Sequence, residues 1–225
     1  MAGLIAALDT ADPVQATAWA NAVVPHCGML KLGLEFYLAA GPAGISGVTQ
    51  RPVFLDLKLH DIPNTVAGAV RAVLPLHPHM LTLHAAGGGA MIEAARRAAD
   101  GARRPLLLAV TVLTSLDSSA LHATGVAGGP RQQVLRLARL ALGAGADGLV
   151  CSAQEAAMLR DALGAGPLLV VPGIRPAGTE ADDQARTMTP RQAAEAGADW
   201  IVVGRPITGS PDPAAAAAAI AAELA

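Results

Sequence analysis

The heptapeptide Ala144-Gly145-Ala146-Asp147-Gly148-Leu149-Val150 returns later in the chain as Ala196-Gly197-Ala198-Asp199-Trp200-Ile201-Val202. In both copies a glycine closes a helix-like stretch and an apolar run begins within a few residues, which is the punctuation of a repeated strand-and-helix unit. Short apolar runs of the same kind occur at 4–8, 29–32, 53–57, 80–84, 106–113, 148–151, 168–171 and 200–203. They are continuous rather than alternating, which suits strands buried on both faces of a parallel sheet. Between them, Ala- and Leu-rich stretches with helical spacing cover 13–24, 65–74, 90–99, 132–142 and 153–163, and the helix-prone tail 213–225 predicts a last outer helix. Eight such units in 225 residues predict one α/β domain over residues 1–225, a (β/α)8 TIM barrel with clipped loops. An open, doubly wound sheet is the alternative. It usually carries G-x-G-x-x-G after the first strand, where this chain reads Asp9-Thr10-Ala11-Asp12.

Composition narrows the function. With 52% hydrophobic and 15% charged residues, the chain is no disordered polymer. A net charge of -2 supplies no basic face for nucleic acid or for an anionic membrane, so a small solute is the expected partner. No apolar run reaches about 18 residues and no basic segment precedes the first apolar stretch, so neither a spanning helix nor a secretory signal is expected. Cys27 and Cys151 lack C-x-x-C spacing and clustered histidines, which argues against a disulfide framework or a structural zinc and fits a reducing cytoplasm. Of the 16 basic residues 14 are arginine; the two lysines, Lys31 and Lys58, both lie at ends of apolar runs. Coding bias that left two surface lysines is one explanation. The positions favour another, a need for an ammonium that can release a proton, which arginine cannot do.

Barrels of this kind place their active sites at the C-terminal ends of the strands. Asp9, Lys31, Asp56, Lys58 and Asp61 fall at such ends in the first three units. His84, Thr114, Arg175, Gly204 and Arg205 follow in the later ones. Asp56 and Lys58 are two apart on a strand, so both side chains point to the same side. Lys31, Asp56, Lys58 and Asp61 then form a mutually neutralising array, because buried charges are costly unless paired. A salt-bridge network that merely plugs the barrel is the competing reading. Pro172-Gly173-Ile174-Arg175 and Val203-Gly204-Arg205-Pro206 close strands seven and eight, where barrels commonly hold phosphate. Arg205 offers a two-pronged contact to such an anion, unless it is simply a surface arginine on a turn. The polar stretch 173–189 is long enough for a lid, from which Gln184 reaches the phosphate. His77 and His79 precede strand four, the wrong end for catalysis, and are expected in solvent, whereas His84 either supports its loop or touches substrate. A metal at His60 is disfavoured by the neighbouring ammonium groups, and Ser115, Ser118 and Ser119 lack a G-x-S-x-G context.

The run Asp56-Leu57-Lys58-Leu59-His60-Asp61-Ile62-Pro63-Asn64-Thr65-Val66 resembles the signature of the orotidine 5'-phosphate decarboxylase family. Ala7-Leu8-Asp9, Lys31-Leu32-Gly33, His84-Ala85-Ala86-Gly87-Gly88, Val112-Leu113-Thr114-Ser115, Pro172-Gly173-Ile174-Arg175, Asp183-Gln184 and Val203-Gly204-Arg205-Pro206-Ile207 look like further landmarks in the right order. The resemblance implies a ribulose-phosphate-binding type of barrel that converts orotidine 5'-phosphate to UMP and carbon dioxide in pyrimidine biosynthesis. It implies Lys31, Asp56, Lys58 and Asp61 as the catalytic set, and no metal or organic cofactor. Asp9 and Lys31 would hold ribose hydroxyls, Thr114 would lie near the pyrimidine, and Ile62 would join the substrate site. Gln184, Gly204 and Arg205 would hold the 5'-phosphate, with Arg175 at the lid. A homodimer is implied, with Asp61 and Thr65 completing the partner's site. Relatives that share the D-x-K-x-x-D core act on sugar phosphates with magnesium, so a lyase of that kind is an alternative, as is a non-catalytic nucleotide-binding regulator.

The chemistry such a reaction demands suits these residue types. Loss of carbon dioxide from C6 leaves an electron pair with little resonance help, so a cation must already be aimed at that carbon. Lys58 would stabilise the carbanion and then protonate it. Asp56 and Asp61 would orient Lys58 and crowd the substrate carboxylate.

Overall fold

The computed structural model describes residues 2–49, 51–101, 103–176 and 188–224. The eight apolar runs become parallel strands: β1 (Gly3–Ala7), β2 (Met29–Gly33), β3 (Val53–Leu59), β4 (Met80–His84), β5 (Leu106–Val110), β6 (Gly148–Val150), β7 (Leu168–Val171) and β8 (Trp200–Val203). The first four are followed by α1 (Pro13–Val23), α2 (Leu34–Val48), α3 (Pro63–Val73) and α4 (Gly89–Ala98). Two helices, α5 (Ser118–Ala123) and α6 (Pro130–Gly143), follow β5; α7 (Ala153–Leu163) follows β6 and α8 (Pro190–Glu195) follows β7. After β8 come the short α9 (Arg205–Thr208) and α10 (Pro213–Glu223). Strands pair in sequence order and β1 closes on β8, from Gly3 beside Trp200 to Ala6 beside Val203, which makes the expected closed (β/α)8 barrel.

Successive side chains on a strand face opposite ways, so each strand feeds two cores. Ile5, Met29, Phe54, Met80, Leu108 and Val170 point inward and plug the barrel. Leu4, Leu30, Leu55, Leu81, Leu107 and Leu169 point outward under the helices. Burial on both faces explains the continuous apolar runs, and each such side chain removed from water contributes about 2 kcal/mol. At the base of the barrel the Trp200 ring occupies the space where a Cβ on Gly3 would stand, so only glycine fits there. Two residues beyond Met29, Phe54 and Met80, at the same inward parity, stand Lys31, Asp56 and Thr82. The plug therefore becomes a polar floor at the C-terminal end of the strands.

The repeated heptapeptide has a physical basis. Asp147 accepts both arms of the Arg104 guanidinium at 2.7 Å each and the Leu107 N–H at 2.8 Å. Asp199 likewise accepts from Arg160 and from the Leu169 N–H. Each aspartate latches the start of its strand to the strand before it. Gly145 and Gly197 both take positive φ (95° and 97°), which glycine adopts without strain.

Three differences from the sequence reading have local causes. β5 stops at Val110 rather than at 113 because its neighbour β6 ends at the facing Val150. The reading names no helix over 34–48, where Gly41, Pro42, Gly44 and Gly47 hide the pattern; α2 forms nonetheless and breaks at Gly41, whose φ is 63°. α3 begins at Pro63, two residues earlier than the spacing indicated, because proline is tolerated in a first helical turn. Among the described residues, no helix is long and apolar enough to cross a membrane.

Candidate active site

β3 carries Asp56 inward and then leaves regular geometry. Its register with β4 shifts between Leu55 and Leu59, and Lys58 adopts φ 49°, in the left-handed region. Simple alternation therefore does not govern Lys58, yet its Nζ still lies 2.8 Å from Asp56 Oδ2. Lys31 Nζ lies 2.9 Å from Asp9 Oδ1 and 3.5 Å from Asp56 Oδ2. Within one chain the array is thus Asp9, Lys31, Asp56 and Lys58, which corrects the expectation that Asp61 alternates with them. Asp61 turns away, accepts the Ile62 N–H at 2.6 Å, and stands exposed with Ile62 and Thr65.

The side chains of Lys31 and Asp56 are 11% and 12% exposed, against 41% for Lys58, so the first two form a buried floor and Lys58 the accessible tip. Burial disfavours the charge on Lys31, but the carboxylates of Asp56 and Asp9 outweigh it and hold its pKa above the ordinary lysine value. Burial likewise opposes ionisation of Asp56, and the two ammonium groups overcome it, holding its pKa below the usual carboxylate value. Beneath this cluster the hydroxyl of Thr82, fully buried on β4, donates to Asp56 Oδ1 at 2.9 Å and accepts the Lys58 N–H at 2.8 Å. Sequence reasoning missed Thr82. Its signal was a single hydroxyl inside the apolar run Met80-Leu81-Thr82-Leu83, at the inward parity of Met80.

Above the floor opens a cavity of about 290 Å³. Asp9, Lys31, Asp56 and Lys58 line it from β1, β2 and β3, and Gly173, Arg175, Gly204 and Arg205 line it from the ends of β7 and β8. Thr114 also lines it, while Val110, Val112 and Leu113 supply an apolar wall that the sequence reading did not assign. Gly173 has φ 78°, so glycine is needed at that turn. Arg175 is anchored through its N–H to the Met188 carbonyl at 3.0 Å. Gln184 falls in 177–187, outside the described residues.

The histidines sort as follows. His84 lies outside the cavity lining, accepts the Ala86 N–H through Nδ1 at 3.3 Å, and stacks on His60 with ring centroids 5.2 Å apart. Burial, with His60 and Lys58 nearby, holds its pKa below the ordinary histidine value. It supports its loop. His77 and His79 are exposed at the N-terminal end of β4, as the sequence indicated. Both cysteines are buried free thiols; Cys151 reaches the cavity wall, and burial raises its pKa, which favours the thiol over the thiolate.

A cavity at the C-terminal mouth, with paired ammonium and carboxylate groups on one side and glycine-arginine turns after β7 and β8 on the other, defines a (β/α)8 barrel whose site lies where barrels of this class commonly hold phosphate. Residues 3–220 match the family described as Orotidine 5'-phosphate decarboxylase / HUMPS family, and the chain belongs to it. It is 57% identical over 228 residues to the orotidine 5'-phosphate decarboxylase of Gluconobacter oxydans (strain 621H), covering 99% of this chain and 97% of that protein. It is 56% identical to the protein of that name from Thermobifida fusca (strain YX), covering 99% and 96%. The crystal structure of orotidine 5'-phosphate decarboxylase from Lactobacillus acidophilus superposes with a TM-score of 0.88 at 39% identity, over 100% of this chain and 99% of that one.

Proposed function

We propose that this protein is a carbon-carbon lyase that decarboxylates orotidine 5'-phosphate to UMP. The observation that carries the reading is the Lys58 ammonium, held 2.8 Å from Asp56 at the edge of a cavity whose other side carries Arg205 and Gly204. The bond from C6 to the substrate carboxylate breaks, its electron pair stays on C6, and carbon dioxide leaves. Lys58, already aimed there, stabilises that pair and transfers a proton from Nζ to C6; water then reprotonates the lysine. Asp56 keeps the ammonium in place and faces the substrate carboxylate. Lys31 and Asp9 hold ribose hydroxyls, the apolar wall with Thr114 takes the pyrimidine, and Arg205, Gly204 and Arg175 take the phosphate.

The carboxylates of Asp9 and Asp56 are each engaged by a lysine, an arrangement suited to ammonium chemistry rather than to holding a divalent cation. Asp61 and Thr65, exposed beside the apolar Ile62 (66% exposed), are the residues we assign to the partner's site in a homodimer.

Loss of the orotate chromophore is the test. Chelator-treated protein mixed with orotidine 5'-phosphate is expected to release UMP, and Lys58→Ala and Lys58→Arg to abolish turnover with the fold intact. Folded, dimeric wild type that leaves the chromophore untouched, but acts on a sugar phosphate once magnesium is added, refutes the proposal.

A further inference from the structure

We propose that Thr82 is a positioning residue for this reaction: its hydroxyl locks Asp56 and the Lys58 backbone together, so that the Lys58 ammonium has one direction of aim. The inference rests on the decarboxylase reading above and adds a residue outside the charged set. Between the pairs Leu55–Leu81 and Leu59–Leu83, β3 spends four residues where β4 spends two. Lys58 lies in that excess and takes φ 49°. A lysine keeps such a conformation only where its surroundings over-determine it.

Thr82 supplies the determination. Its oxygen accepts the Lys58 N–H at 2.8 Å, and its proton goes to Asp56 Oδ1 at 2.9 Å. Asp56 Oδ2 in turn receives Lys58 Nζ at 2.8 Å. Three hydrogen bonds thus close a ring through both ends of one lysine, its backbone N–H and its ammonium. Because Thr82 occupies Oδ1, Lys58 and Lys31 converge on Oδ2, which orients the carboxylate as well as the lysine. Thr82 is fully buried and absent from the cavity lining, so it acts through Asp56 and Lys58 rather than on the substrate. Valine has nearly the same shape; only the hydroxyl closes the ring.

The test compares wild type, Thr82→Val and Thr82→Ser by steady-state turnover of orotidine 5'-phosphate, calorimetric binding of UMP and thermal unfolding. Misaim by about an ångström costs about 100-fold in rate. The expected result is therefore a kcat of Thr82→Val about 100-fold down with UMP affinity within about threefold of wild type, and Thr82→Ser restored to within about fivefold. A folded Thr82→Val with kcat within about threefold of wild type overturns the inference, as does a parallel loss of UMP affinity, which marks a collapsed pocket. If Thr82→Val does not fold, Thr82→Ser decides alone, since a folded serine variant down more than about tenfold in kcat shows that the hydroxyl is not what positions Lys58. Wild type that binds UMP without turnover fails the decarboxylase reading itself, and this inference with it; active wild type matched by Thr82→Val fails the inference alone.

Discussion

Asp56→Asn removes one charge from the floor of the cavity while keeping the shape of the side chain. The amide oxygen can still accept the Thr82 hydroxyl, so the change isolates the loss of the carboxylate that two ammonium groups share. Deleting one partner of a buried ion pair costs about 3–5 kcal/mol. Lys58 is 41% exposed, so water screens its share and it adds little. Lys31 is 11% exposed and keeps only Asp9, itself 58% exposed, so most of the cost falls on Lys31. The expected loss is about 3 kcal/mol, near the lower end of that range, or about 6–12 °C in Tm for a chain of this size. Urea unfolding near neutral pH, followed by Trp19 and Trp200 fluorescence and by circular dichroism, reads it directly. Adding Lys31→Met to Asp56→Asn should recover about 2 kcal/mol, because the unpaired buried ammonium is then gone.

The pH dependence provides a second reading of the same variant. In the wild type the raised pKa of Lys31 contributes stability that is complete below the unfolded lysine value, about 10.4, and is lost as pH rises through the folded value. Asp56→Asn removes the largest of the influences that raise the Lys31 value, so that alkaline loss becomes smaller than in the wild type. A variant within about 0.5 kcal/mol of wild type, or a double variant whose losses simply add, refutes the argument that the floor is held by mutual neutralisation.

Asp147→Ala breaks the latch at the opposite end of the barrel, leaving Arg104 (25% exposed) without its carboxylate and the Leu107 N–H without its acceptor. It should cost about 2 kcal/mol by denaturant titration with kcat unchanged; normal stability with reduced turnover would count against that role. If Asp61 serves the partner's site, mixing the inactive Lys58→Ala and Asp61→Ala proteins should restore turnover through a hybrid site, and no rescue after proven subunit exchange excludes the arrangement. On the acid side, the lowered pKa of Asp56 contributes stability present above the unfolded carboxylate value, about 3.9, and lost as pH falls through the folded one. His84, also lowered, favours its neutral form in the fold, so stability declines as pH falls from about 6.5 toward the folded value. His84→Gln should flatten that decline in thermal melts, and an unchanged slope refutes the assignment.

Much of this protein was decided by the sequence alone. Continuous apolar runs follow from strands buried on both faces, and their parity puts polar residues at the inward positions beyond Met29 and Phe54. These are local, period-two rules, and the glycine-arginine closers at Gly204 and Arg205 likewise need only their neighbours to be recognised. Which charges meet is not local. Lys31 pairs with Asp9 across 22 residues, and Thr82 reaches Asp56 across 26, because closure and register bring adjacent strands together. The order of opposite charges along the chain pointed to Asp61 as the fourth member of the array. Charge order ignores where the strand ends: β3 stops at Leu59, Asp61 stands exposed beyond it, and Asp9, just past the end of β1 beside Lys31, takes its place.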